Sequence, residues 1–224
     1  AIKEEIITAI IDGKPFQFFC IRGAAGTDKT LLLYDIAKEC SKIGSCCIIH
    51  SGNLSEGHYV INRKMANLTI IAAKELRYEF DLSEHKFIFV DEAHRIYSSM
   101  FSKIVSSASH CGSICVFCCD PRQVLSKSEH YRAIPTKIEA LPNVKIYELT
   151  GRIRTNQKLA DFIKALFDKS HRLIFSVNEC VELLCSESTE DAKETLKNCA
   201  NQGYVFIHFT PSRYISDSID DFEG

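Results

Sequence analysis

Residues 23–30, Gly-Ala-Ala-Gly-Thr-Asp-Lys-Thr, constrain this chain more than any other stretch. A glycine, four residues and then Gly-Lys-Ser/Thr is the pattern of a phosphate-binding loop, whose successive backbone N–H groups wrap an anion. Gly23, Lys29 and Thr30 stand on register, while Asp28 stands where the second glycine belongs. In such a loop the main chain of Gly23, Ala24, Ala25, Gly26, Thr27 and Asp28 surrounds a β-phosphate. Lys29 reaches the β/γ oxygens and the Thr30 hydroxyl ligates Mg²⁺. The flanks agree: the apolar run at 16–21 reads as a buried strand and 29–38 as a helix. Outside that context an ordinary glycine-containing turn would account for the string.

Apolar runs of strand length alternate with helix-period segments along the chain, the signature of an α/β fold with a parallel sheet. Strands are expected at 16–21, 46–50, 68–72, 86–90, 113–119, 144–149 and 204–209. Helices are expected at 29–43, 54–65, 94–109, 155–169 and about 189–201, with short strands at 171–175 and 181–185. Residues 120–143, with Pro121, Pro135 and Pro142, read as a long polar connection. Residues 1–150 are expected to form one nucleotide-binding domain and 151–224 the start of a second or a C-terminal extension. The chain begins at Ala1, without an initiator Met, which fits a piece of a longer protein.

Two further strand ends deliver chemistry. Lys86-Phe-Ile-Phe-Val-Asp-Glu-Ala-His-Arg95 places Asp91 and Glu92 at the carboxyl end of an apolar strand, where open α/β sheets bind ligands. Asp91 can hold Mg²⁺ and Glu92 can polarise an attacking water; the alternative is an acidic turn capping the next helix. Cys119-Asp-Pro-Arg-Gln123 ends the next strand, and Gln123 can sense a γ-phosphate or its water; an Asp-Pro turn would read the same. Arg152 and Arg154 follow the strand at 144–149, and either guanidinium can stabilise charge on a transferring phosphoryl group or lie on the surface.

Composition removes several classes. A net charge of −2 gives no global basic field, so any nucleic-acid surface is local. No apolar run is long enough to span a bilayer and no signal-peptide pattern opens the chain, so the expectation is no membrane and a cytoplasmic location. Eleven cysteines invite a zinc reading, with Cys111, Cys115, Cys118 and Cys119 the tightest cluster. These fall in an apolar strand, where alternate residues face opposite ways, so they read as core thiols.

In this order the motifs resemble the Schlafen group-3-like DNA/RNA helicase domain, close to superfamily 1 helicases. The resemblance is clear over roughly 14–170 and looser over 171–212. Gly23–Thr30 resembles Walker A, Val90–Arg95 Walker B, and Asp120–Gln123 the γ-phosphate-sensing motif. Leu149–Arg154 is similar to the segment ending in an arginine finger, with Arg154 the better match. Ser51-Gly-Asn53 sits where such proteins touch nucleic acid, and 204–213 resembles the first strand of a second motor domain. The resemblance implies a RecA-like P-loop NTPase and the start of a second α/β domain. It implies ATP and Mg²⁺ as cofactors, catalytic Glu92, Gln123 and Arg154, and metal ligands Thr30 and Asp91. It also implies single-stranded DNA or RNA as a partner, held weakly by a chain that stops early in the second motor domain. Oligomeric state, and whether strands are unwound, stay open.

Three functions remain at this point: an ATP-hydrolysing helicase-type core, a nucleotide-responsive switch impaired by Asp28, and a phosphotransferase. The Asp-Glu pair with Gln123 and Arg154 favours the first, and Asp28 is the argument for the second.

Overall fold

The computed structural model describes residues 2–13, 16–78, 80–123, 127–150, 158, 161–162, 165, 170–172 and 184–204. The chain divides into two compact units, Ala1–Asn156 and Gln157–Gly224.

The first unit is a six-stranded sheet with helices on both faces. In chain order its elements are α1 (Ile2–Ile11), β1 (Phe18–Gly23), α2 (Lys29–Cys40), β2 (Cys46–His50), α3 (Glu56–Lys64) and β3 (Leu68–Ala72). They continue with β4 (Phe87–Asp91), α4 (Ser98–Cys111), β5 (Ile114–Cys119), α5 (Lys127–Arg132), α6 (Ile134–Glu139) and β6 (Val144–Leu149). Strand order is β3-β2-β4-β5-β1-β6, and every pairing is parallel.

Parallel strands need crossovers, so both sheet faces are covered and central strands read as unbroken apolar runs. Phe-Ile-Phe-Val in β4 and Cys-Val-Phe-Cys-Cys in β5 are buried throughout. Edge strand β6, Val-Lys-Ile-Tyr-Glu-Leu, keeps Lys145 and Glu148 exposed. Two cores result. On one face Leu33, Ile36 and Ala37 of α2 and Ile6 and Ile10 of α1 cover Phe19, Ile48 and Phe89. On the other, Met100, Phe101 and Ile104 of α4 and Ile134 and Ile138 of α6 cover Phe18, Ile88 and Phe117. Cys115, Cys118 and Cys119 are buried in β5, and Cys111, the last residue of α4, is exposed.

The structure corrects several expected boundaries. α1 precedes the first expected element, its Ile6, Ala9 and Ile10 forming a buried stripe. The first strand starts at Phe18 and runs to Gly23, two residues later than expected at both ends. The helix expected at 94–109 is a short 3₁₀ turn, Ala93–Arg95, and then α4 from Ser98; extended backbone at Ile96 separates them and buries that side chain. The connection at 120–143 holds two short helices, because Pro135 falls in the first turn of α6, where its missing N–H costs nothing. Of the second unit, helix α7 (Thr189–Asn201) is described, with Ser188 capping it by accepting from the Asp191 N–H. Residues 173–175 and 181–183 of the strands expected at 171–175 and 181–185, and 205–209 of the strand expected at 204–209, lie outside the described residues, as does most of the helix expected at 155–169. Among the described residues no helix is long and apolar enough to cross a membrane.

Candidate nucleotide site

Parallel pairing brings the carboxyl ends of neighbouring strands to one edge. Arg22 of β1 stands beside Cys119 of β5, Val90 of β4 beside Phe117 of β5, and His50 of β2 beside Asp91. The 23–30 loop, the Asp91–Glu92 pair and the turn from Asp120 therefore emerge together.

The loop folds with Asp28 in place of glycine. Gly26 has φ +78°, and Asp28 takes the left-handed conformation at φ 59°, ψ 32°. Aspartate enters that region more readily than most residues, so the turn into α2 survives, though the Asp28 side chain makes no cap hydrogen bond to the helix. Gly23 is required for space: a Cβ there would lie 2.5 Å from Thr27 Oγ1 and 3.1 Å from the Leu149 carbonyl oxygen. Thr27 Oγ1 in turn donates to the Ala24 carbonyl at 2.9 Å.

Lys29 opens α2 and is only 5% exposed. Its ammonium donates to the carbonyls of Gly23 (2.8 Å) and Ala24 (3.0 Å), and among the described residues it makes no hydrogen bond to a carboxylate. A buried cation satisfied by neutral oxygens alone keeps its charge available to an anion. One residue on, Thr30 Oγ1 lies 3.1 Å from each oxygen of Asp91, a residue 1% exposed. A hydroxyl and a carboxylate converging beside a lysine are the oxygen donors that Mg²⁺ takes from a protein when phosphates complete its shell. These residues fit an Mg²⁺–nucleotide.

Glu92 follows on left-handed backbone at φ 51°, ψ 42°. Its N–H donates to Asp91 Oδ1 at 3.1 Å, and Ser51 Oγ, just past β2, lies 2.7 Å from the Asp91 carbonyl and 3.0 Å from the Glu92 carbonyl. Burial raises the Glu92 pKa above the ordinary glutamate value, and the neighbouring Asp91 charge raises it further. That suits a proton acceptor. His94 is buried beneath it. His94 Nδ1 accepts from the Asp120 N–H at 3.2 Å, which leaves the proton on Nε2, 3.4 Å from Glu92 Oε2. Burial depresses the His94 pKa and favours this neutral form. The Asp120 turn is closed by the Arg122 N–H on Asp120 Oδ1 (3.0 Å) and the Gln123 N–H on the Asp120 carbonyl (3.2 Å).

A cavity of about 470 Å³ opens beside the loop, lined by Gly23, Ala24, Asp120, Arg122, Glu148 and Thr150 among others. That is the size range of small-molecule sites.

Of the residues expected from sequence, Gly23–Thr30, Asp91 and Glu92 meet, and His94 links them to the turn that carries Gln123. Arg152 and Arg154 lie outside the described residues. Sequence reading missed His94 and His50 (Nδ1 3.6 Å from Asp91 Oδ2). It also missed Tyr34, whose half-buried phenol has its pKa raised by burial and by Asp91. Tyr34 lies one helical turn beyond Thr30, the one signal that could have found it.

The family model described as Schlafen group 3, DNA/RNA helicase domain, matches residues 17–207. No curated protein matches the sequence. Among solved structures, the Pif1 helicase from Candida albicans is similar at 15% identity and a TM-score of 0.46, over 92% of this chain and 54% of that one. AMPPCP-bound DnaA from Aquifex aeolicus is similar at 14% identity and a TM-score of 0.43, over 90% of this chain and 60% of that one. The flagellar accessory protein FlaH from Methanocaldococcus jannaschii is similar at 15% identity and a TM-score of 0.41, over 55% of this chain and 66% of that one. This chain thus spans less than two thirds of each of these proteins.

Proposed function

The chain belongs to the Schlafen group 3 DNA/RNA helicase domain family, and from that premise we propose that it is the ATP-binding and ATP-hydrolysing core of a superfamily 1-like helicase. The observation that carries this reading is the buried Lys29 ammonium, bonded to the Gly23 and Ala24 carbonyls, beside the converging Thr30–Asp91 pair.

In this reading the loop N–H groups and Lys29 bind the β- and γ-phosphates of ATP, and Thr30 and Asp91 hold the metal. Bound Mg²⁺ would neutralise charge on the phosphoryl oxygens. Glu92 takes a proton from water as the water oxygen bonds to the γ-phosphorus and the bond from that phosphorus to the ADP oxygen breaks. Gln123 orients that water, and Arg154 stabilises charge on the transferring group. Residues 1–150 act as the first motor domain and 151–224 as the start of the second. Single-stranded DNA or RNA is the partner. Ten free thiols among the described residues suit a reducing compartment, so we place the protein in the cytoplasm.

A second reading, a nucleotide-responsive switch with little hydrolysis, rests on Asp28 at the glycine position. Release of phosphate from ATP by the purified chain separates the two. Hydrolysis by wild type, lost in Lys29→Ala, supports the enzyme; equal release by both proteins overturns the assignment of the site.

A further inference from the structure

Two side chains near Asp91, His50 and Tyr34, play no part in the mechanism given above. His50, the last residue of β2, pairs in register with Asp91 of β4. Its Nδ1 lies 3.6 Å from Asp91 Oδ2, beyond hydrogen-bond reach. Tyr34 stands one turn beyond Thr30 on α2, close enough for the Asp91 charge to help raise its pKa. Among the described residues neither His50 Nδ1 nor Tyr34 Oη has a hydrogen-bond partner, although both atoms are buried. A buried polar atom left unpaired costs free energy, so a pair of them at one site points to a ligand.

His58 of α3 packs against both rings. Its ring centre lies 4.7 Å from that of His50 and 6.2 Å from that of Tyr34. His58 is itself fixed, because its Nδ1 accepts from the Ser55 N–H at 2.8 Å. The three rings form one wall beside Asp91. Other polar groups around that carboxylate are already engaged. The Glu92 N–H donates to Asp91 Oδ1, Thr30 Oγ1 reaches both Asp91 oxygens, and Ser51 Oγ bonds the Asp91 and Glu92 carbonyls.

The chemistry of Mg²⁺ says what such a wall would receive. The ion demands an octahedral shell of oxygens, gives up its waters reluctantly, and takes one or two carboxylates from a protein beside the substrate phosphates. With Thr30 and Asp91 as the protein ligands, water completes the shell. A metal polarises the O–H bonds of those waters, and their protons need acceptors. An imidazole nitrogen and a phenol oxygen both accept; rings of carbon alone would leave the protons unmatched.

We infer that His50 Nδ1 and Tyr34 Oη accept hydrogen bonds from the water ligands of the metal held by Thr30 and Asp91, and so set how tightly Mg²⁺ joins the nucleotide. Both are positioning residues, acting on the metal through its waters. The inference rests on the helicase-type reading above and adds the two side chains that tune its metal.

The test is an equilibrium titration of a fluorescent ADP analogue with the whole chain, first in EDTA and then at a series of Mg²⁺ concentrations. Tyr34→Phe and His50→Phe are each expected to raise the Mg²⁺ concentration for half-maximal enhancement of binding by about tenfold, the low end for lost support of metal ligands. Affinity in EDTA should be unchanged in both, because the loop N–H groups and Lys29 hold the phosphates. His50→Asn, which keeps an acceptor near the Nδ1 position, should recover most of the Mg²⁺ affinity. Tyr34→Phe should leave the thermal unfolding midpoint in EDTA unchanged or higher, because it deletes an unpaired buried hydroxyl. If circular dichroism shows His50→Phe unfolded, Tyr34→Phe carries the same test. An unchanged Mg²⁺ requirement in the folded variants overturns the inference and leaves the reading of the site standing. Equal loss of affinity with and without Mg²⁺ also overturns it and makes the rings supports of the fold. Loss of Mn²⁺ enhancement in His50→Phe with Mg²⁺ enhancement intact overturns it in favour of His50 as a direct ligand, since imidazole suits softer ions. Binding by wild type that Mg²⁺ does not strengthen would overturn the metal assignment of Thr30 and Asp91, and this inference with it.

Discussion

The ends of β1 and β4 use the same backbone device to different effect. Each turns on a non-glycine acidic residue in left-handed conformation, Asp28 at φ 59° and Glu92 at φ 51°. Such residues cost free energy and persist where the surroundings over-determine them. At Glu92 the surroundings do so: its N–H bonds Asp91, its carbonyl receives Ser51, and His94 Nε2 faces its carboxyl group. Asp28 instead opens α2, its carbonyl accepting from the Leu32 N–H at 3.0 Å and its side chain off the helix cap. The left-handed turn at Glu92 aims a carboxylate at the site. The one at Asp28 preserves a loop that glycine would form with less strain.

Altering each turn tests that contrast. Glu92→Gln keeps the shape and removes the proton acceptor. Turnover should fall by ~10²-fold or more while ATP affinity holds; rapid-quench phosphate release compared with equilibrium binding reads both. Asp28→Gly should do the opposite at the other turn. It removes a negative charge from the loop proposed to hold the phosphates and relaxes the backbone, so ATP affinity should rise by roughly 1–3 kcal/mol, with turnover rising as well. Equal affinity of wild type and Asp28→Gly in titrations at matched Mg²⁺ would make the substitution benign.

His94 sharpens the comparison, because Glu92 has a buried support of this kind. His94→Leu should lower kcat by about tenfold, the low end for lost positioning, with little change in KM, and His94→Gln should restore part of it. A proportional rise in KM would assign His94 a purely structural role.

The smallest effect concerns pH. Burial depresses the pKa of His94 and of His85, which stacks on Phe80. The unfolded chain then takes up protons before the folded one does. Stability from these groups is complete above about pH 6.5 and declines as pH falls through that value toward the lowered folded pKa. Thermal unfolding midpoints should drop between pH 7.5 and 5.5, and His85→Phe should make that drop smaller.

Much of the architecture was legible because buried parallel strands are unbroken apolar runs. Cys46–His50 and Leu68–Ala72 formed with the boundaries their composition implies. The motif residues were legible because glycine, lysine and paired carboxylates at strand ends answer to a few chemical needs. What escaped was set by tertiary context. Pro135 signals a loop locally, yet it starts a helix because Ile134 and Ile138 bury against the sheet. Nothing local in the sequence told that the Ser51 hydroxyl bonds the Asp91 and Glu92 carbonyls, because those lie at the end of a neighbouring strand far along the sequence. His94 gave no signal, since its role depends on the end of β5 lying beside β4.

The most direct test of the account is a calorimetric titration of wild type and Lys29→Ala with ATP at the same Mg²⁺ concentration. Saturable binding at one site by wild type, lost in Lys29→Ala with the fold intact by circular dichroism, is the predicted result. Binding of equal strength by the two proteins would contradict a phosphate site built on the Lys29 ammonium.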